Sequence, residues 1–161
     1  MMPRFFATVL TLAVVGASVW LLRSTPQPMP DVTFNLLDGR HLDSADLRGR
    51  PVLVNFWSVT CGICLQDMPR LTRLQETLVD RKLQVIGVAL PSDPPPAVIA
   101  LVEQREPGYA IALDVHGEVS RAFGDIQLTP TSFLIDPAGQ IRYSEQGPLD
   151  ETRIRATLLT F

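Results

Sequence analysis

The chain has only two cysteines, Cys61 and Cys64, three positions apart. They stand at a seam. Before them runs a continuous apolar stretch, Val52 to Ser58; after them Met68, Leu71, Leu74 and Leu78 recur at helical spacing. An unbroken apolar run of this length reads as a buried strand, and the spacing after it as an amphipathic helix from the motif to about Asp80. A bridge closing so short a loop constrains the unfolded chain little, so the pair is not a structural staple. It is a chemical pair. At a helix N-terminus the first cysteine meets unpaired backbone N–H groups and the positive end of the dipole, which stabilise a thiolate. Cys61 is therefore the expected exposed nucleophile and Cys64, one turn in, the buried resolving thiol, with Gly62 and Ile63 between them facing a substrate. A zinc pair is the alternative, but zinc wants four ligands, or three and a water. The other soft donors, His41 and His116, are isolated in loop-like contexts, so no metal and no cofactor is expected.

The first segment constrains location. Phe5 to Leu22 is an 18-residue apolar run between Arg4 and Arg23, just long enough to span a bilayer. Residues 1–23 are read as an N-terminal transmembrane helix in the inner membrane, with a cleaved signal peptide as the alternative, cut near Val15-Gly16-Ala17. Either exports the remainder to the periplasmic side. Residues 24–31, with Pro26, Pro28 and Pro30, read as a stiff linker, and 32–161 as one domain. Without Arg4 and Arg23 the chain keeps twelve basic and seventeen acidic residues. That balance argues against nucleic acid, which needs a basic footprint.

Within the domain, Val32 to Leu36 and Arg40 to Leu42 read as strands about the Asp38-Gly39 turn. Asp43 to Leu47 reads as one helical turn. Leu83 to Leu90 reads as a second buried strand, Pro91 to Pro96 as a break, Ala97 to Arg105 as a helix, and Tyr109 to Leu113 as a short strand. Glu118 to Phe123 is a short helix, and Thr131 to Asp136 with Ile141 to Glu145 form a hairpin. Asp150 caps a last helix. Pro69 should kink the helix after the motif. Strands alternating with helices and closed by a hairpin imply an α/β fold, a mixed sheet flanked by helices on both faces.

Asn55-Phe56-Trp57 before Cys61-Gly62-Ile63-Cys64, Pro69, and Thr129-Pro130-Thr131-Ser132-Phe133-Leu134-Ile135-Asp136 together resemble a thioredoxin-like fold. The particular resemblance is to the membrane-anchored bacterial TlpA/ResA/CcmG group of thiol–disulfide oxidoreductases, over Val32 to Thr160. It implies that Pro130 is a cis-proline facing the cysteines. It also implies that the backbone at Thr129 pairs with a substrate strand. Thioredoxin has a buried acid where this chain has Asn55; the anchored group resembles a pattern with an acid three residues after the second cysteine, here Asp67. On a helix that spacing puts Asp67 on the face of Cys64, where it could accept the Cys64 proton; a solvated carboxylate is the alternative. Thr60 stands where tryptophan is common, and Trp57 is read as core or cleft wall, among the residues lining the substrate site.

The resulting expectation is a cell-envelope protein disulfide reductase. Its catalytic residues are Cys61, Cys64, Asp67 and Pro130. Its targets are oxidised envelope proteins, apocytochrome c among them, and the resemblance implies a membrane electron donor that re-reduces the pair. Three alternatives stay open: a disulfide oxidase or isomerase of the same fold, a thiol peroxidase, and a binding or chaperone module without turnover.

Overall fold

The computed structural model describes residues 27–161. The membrane anchor expected over 1–23 lies outside the described residues. Within them, no helix is long and apolar enough to cross a membrane.

In chain order the elements are β1 (Gln27–Pro28), β2 (Thr33–Asn35), β3 (His41–Asp43), a 3-10 turn (Ser44–Leu47), β4 (Val52–Trp57), α1 (Gly62–Thr77), a second 3-10 turn (Val79–Arg81) and β5 (Gln84–Ala89). They continue with α2 (Pro95–Arg105), β6 (Ala110–Leu113), α3 (Glu118–Ala122), β7 (Thr131–Ile135), β8 (Gln140–Gln146) and α4 (Glu151–Leu158). Six strands form one mixed sheet in the order β1-β8-β7-β4-β5-β6. β4 is parallel to β5 and antiparallel to β7. The β2–β3 hairpin stands apart but leans on the sheet where Leu36 bridges Ala112. This is the expected thioredoxin-like arrangement of a mixed sheet flanked by helices.

Both faces of the central strands are apolar, which is why β4 and β5 carry no polar alternation. Leu53, Trp57 and Val85 point to one core, where α1, α2 and α4 contribute Leu71, Leu74, Val98, Ile154 and Leu158. Val52, Val54, Phe56, Ile86 and Val88 point to the other, closed by the hairpin and α3. There Phe56, Phe123 and Phe133 meet edge-to-face at centroid distances of 5.0–6.0 Å. Such pairs add about 0.5–1.5 kcal/mol each beyond area burial.

Three boundaries differ from the sequence reading. Gln27 and Pro28, inside the segment read as linker, pair with Ile141 and Gln140 at the sheet edge. An edge strand tolerates proline because its N–H is not needed by the ladder. α1 runs through Pro69 and ends at Thr77, and the chain then tightens into a 3-10 turn closed by Lys82 with φ +56°. α2 begins inside the proline break, with Pro95 in its first turn, where a missing N–H costs nothing.

Candidate active site

β4 carries the chain to Trp57, and Ser58-Val59-Thr60 form the turn that delivers Cys61 to α1. Asp93, from the loop after β5, holds this turn. Its Oδ2 accepts from Val59 N at 2.9 Å and its Oδ1 from the Ser58 hydroxyl at 2.8 Å. Ser58 O then accepts from Cys61 N at 3.1 Å. Asp93 is buried, so this is a carboxylate committed to backbone and hydroxyl donors.

Cys61 occupies the N-cap of α1, and its Sγ accepts from Cys64 N at 3.2 Å. The two sulfurs form a disulfide with a Cα–Cα separation of 5.2 Å. Cys61 is half-buried, Gly62 is exposed and Ile63 is 45% exposed, whereas Cys64 retains 2%. The outer sulfur is thus the one a partner can approach. The first turn of α1 holds no acidic residue.

The Thr129–Pro130 peptide is cis. Thr131 pairs with Phe56 in the sheet register, so Pro130 lies beside the last residue of β4, at the end from which Cys61 departs. Pro130 is buried and Thr129 half-buried. Pro130 O accepts from Gly147 N at 2.8 Å, and Leu128 O from the Thr131 hydroxyl at 2.7 Å.

Trp57 takes the core place of its two expected ones and not a place in the substrate surface. It is 1% exposed and belongs to the core with Cys64 and Met68. A fully packed indole supports the motif from below and cannot touch a substrate. Its Nε1 has no hydrogen-bond partner. Below the motif, Asn55 donates from Nδ2 to Ser132 Oγ at 3.0 Å, a neutral amide pairing at a buried level of the sheet.

Asp67 is not a solvated helix carboxylate. It is 2% exposed, and both oxygens are engaged: Oδ1 with Arg70 Nη1 at 2.6 Å, Oδ2 with Leu149 N at 2.9 Å. Arg70 also donates to Glu151 at 3.0 Å and to Leu149 O at 2.8 Å. The pair therefore joins α1 to the loop before α4. Burial, and then the Asp67 charge, push the Tyr109 phenol well above its ordinary range. The Asp67 charge thus reaches Tyr109, in the core that also holds Cys64.

Among the described residues no three His, Cys, Asp or Glu side chains converge as a metal site. His41 shares a 2.8 Å hydrogen bond with Asn35 on the β2–β3 hairpin, and His116 lies in an exposed turn. Sequence reasoning missed Asp93, whose partners lie some 35 positions away, and nothing local announces it. Arg70 was within reach, because an acid and a base three apart on a helix face are neighbours.

Comparison with known proteins agrees with this geometry. The family model described as Redoxin matches residues 25–158. Thiol-disulfide oxidoreductase ResA of Bacillus thuringiensis subsp. konkukian is 33% identical over 113 residues, which cover 70% of this chain. The match spans only 64% of that relative's length. Thioredoxin-like protein YneN of Bacillus subtilis is 27% identical over 98% of both chains. The crystal structure of a thiol:disulfide interchange protein of the thioredoxin family from Chlorobium tepidum superposes with a TM-score of 0.74. It is 27% identical, with 85% of this chain and 97% of that one covered.

Proposed function

The chain belongs to the Redoxin family, and on that premise we propose that it is a cell-envelope protein disulfide reductase working through Cys61 and Cys64. The observation that carries this reading is the asymmetry of the pair: a half-buried cysteine capping α1, joined to a fully buried one a turn below.

The reduced pair acts in two displacements. The Cys61 thiolate attacks one sulfur of a partner disulfide, and the partner's other sulfur leaves as a thiolate that takes a proton. Cys64 then loses its proton and attacks Cys61 Sγ. The remaining partner sulfur departs as a thiol, and the disulfide is left on this chain. Two electrons pass to the partner, and a donor dithiol must restore them. Asp67 is the buried carboxylate on α1 proposed to take the Cys64 proton. Pro130 and Thr129 shape the groove beside the sulfurs, with exposed Gly62 and Ile63 on its other side.

Three features support the reducing direction. Gly62 and Ile63 bring no cation to the Cys61 thiolate, Asn55 brings none beneath it, and Asp67 adds negative charge. A dithiol whose thiolate is little stabilised is a poor oxidant. The proposed partners are oxidised envelope proteins, apocytochrome c among them, and a membrane electron donor. The proposed location is the periplasmic face of the inner membrane, held by residues 1–23.

The test combines potential and trapping. Equilibration against glutathione should place the couple near thioredoxin, at roughly −270 mV; a value near −120 mV would mark an oxidase. The Cys64→Ser full chain should accumulate mixed disulfides through Cys61 with envelope proteins. No adducts, with function intact in Cys61→Ser, would favour a binding module.

A further inference from the structure

At the end of the sheet opposite the disulfide, Arg48, Arg50 and Lys82 line one concavity with Gln75, Val79 and Gln84. No acidic side chain lines it; Asp80 stands exposed beside it in the chain. Among the described residues none of the three cations makes an ion pair, although six other pairings occur across the molecule. All three are exposed. Val79, on the same rim, is 70% exposed. Unpaired cations around a protruding apolar side chain are the composition of a surface that meets anionic headgroups: charge draws it in and the apolar group enters the interface.

The strand register places this surface where the chain enters the domain. Gln27 pairs with Ile141, Ile141 with Ile135, and Ile135 with Val52. These four residues lie at one level, the start of β4, next to Arg50. Arg48 also lines an adjoining hollow with Met29, the residue after β1. The apolar run ends at Leu22, five residues before Gln27, a stretch of chain that spans at most about 18 Å. The disulfide lies beyond the far end of β4, whose six residues span roughly 20 Å.

We propose that the Arg48–Arg50–Lys82 surface docks on the anionic phospholipid headgroups of the membrane that holds the chain, and so fixes the Cys61–Cys64 pair facing away from the bilayer. This rests on the reading of residues 1–23 as an anchor. Each cation near an anionic leaflet biases docking about fivefold, so the three together account for on the order of a hundredfold.

The test uses the full chain with Val79→Cys carrying an environment-sensitive fluorophore, in a Cys61→Ser, Cys64→Ser background. It is reconstituted into phosphatidylcholine vesicles with or without phosphatidylglycerol, the anionic lipid that charges the surface, and a quencher at headgroup depth. Quenching is expected in the anionic vesicles only. It should weaken as salt shortens the screening length below about 10 Å, and the docked-to-free ratio should fall on the order of a hundredfold in Arg48→Gln, Arg50→Gln, Lys82→Gln. Lys82→Gln alone should lower it about fivefold, which guards against a misfolded triple variant. Equal quenching in neutral vesicles, or none lost on substitution, would overturn the proposal. So would abolition by millimolar inorganic phosphate at constant ionic strength, which would identify a small-anion pocket. Failure of the anchor reading looks different: the chain would leave both vesicle types in a high-salt wash, whatever the fluorophore reports.

Discussion

At the scale of single residues, the unequal exposure of the two sulfurs has a direct chemical consequence. After reduction, Cys61 should be alkylated by iodoacetamide at least tenfold faster than Cys64, because a thiol at a helix N-terminus that solvent reaches is both more ionised and more accessible. Mass-spectrometric mapping after brief labelling measures it, and equal labelling would reverse the assigned roles. Asp67 makes a subtler case. It lies one turn after Cys64 on α1 and pairs with Arg70 at 2.6 Å. An unpaired buried carboxylate would raise a neighbouring thiol by about one pKa unit. Asp67→Asn removes that charge and should lower the thiol pKa, read as thiolate absorbance against pH. Adding Arg70→Gln then removes a positive charge and should move the thiol pKa back up. Stability should respond more strongly: Asp67→Ala strands the Leu149 amide and removes Arg70's partner, which should cost about 2–3 kcal/mol in urea unfolding. The figure falls below the 3–5 kcal/mol typical of a broken buried pair because Arg70 remains one-third exposed.

At the scale of elements, the turn into α1 depends on a loop from the next crossover. Asp93→Ala removes the acceptor for Val59 N and for the Ser58 hydroxyl. Two bonds to a charged acceptor predict a loss of about 2–4 kcal/mol, measurable by urea titration of the oxidised protein. Gly87 makes a second test of close fit. A methyl there would stand 3.0 Å from both the Ile111 and Tyr109 side chains and 3.3 Å from Trp57 Nε1. Gly87→Ala should therefore destabilise by about 1–3 kcal/mol through overpacking. These elements also show how far the sequence could be read. β4, β5 and α1 were legible because their apolar patterns are local and strong. The last helix was legible through Asp150, whose side chain does accept from Arg153 N. β1 was not, because two residues with a proline make no pattern, and only β8, far along the chain, makes them a strand. At the site, the cysteines and the Thr129–Pro130 segment could be named from their motifs. The Asp93 tie and the Arg70 bridge to Glu151 and Leu149 could not be assembled, because each depends on a partner that only folding brings near.

At the scale of the whole molecule, stability should vary with pH through Tyr109. Its neutral phenol is favoured by burial and by Asp67, so its folded pKa lies above the unfolded value of about 10. Above that pH the unfolded chain releases the proton while the folded chain keeps it, and stability must fall as pH rises. Thermal unfolding of the oxidised protein should lose ground from about pH 10 upward, and Tyr109→Phe should lessen that slope, the rest coming from Tyr143, whose phenol burial also raises. The pairing of β1 with β8 bears on the order of events in folding. Gln27 has no partner until Ile141 has been made and seated. The contact therefore closes nearly the whole domain as one loop, the kind of pairing that forms late. A chain emerging N-terminus first must leave its opening strand waiting at an unfinished edge while the remaining strands assemble. The two residues of that strand therefore stay unpaired from the start of synthesis until β8 appears, and their seating then covers Gln140 and Ile141 at the sheet edge.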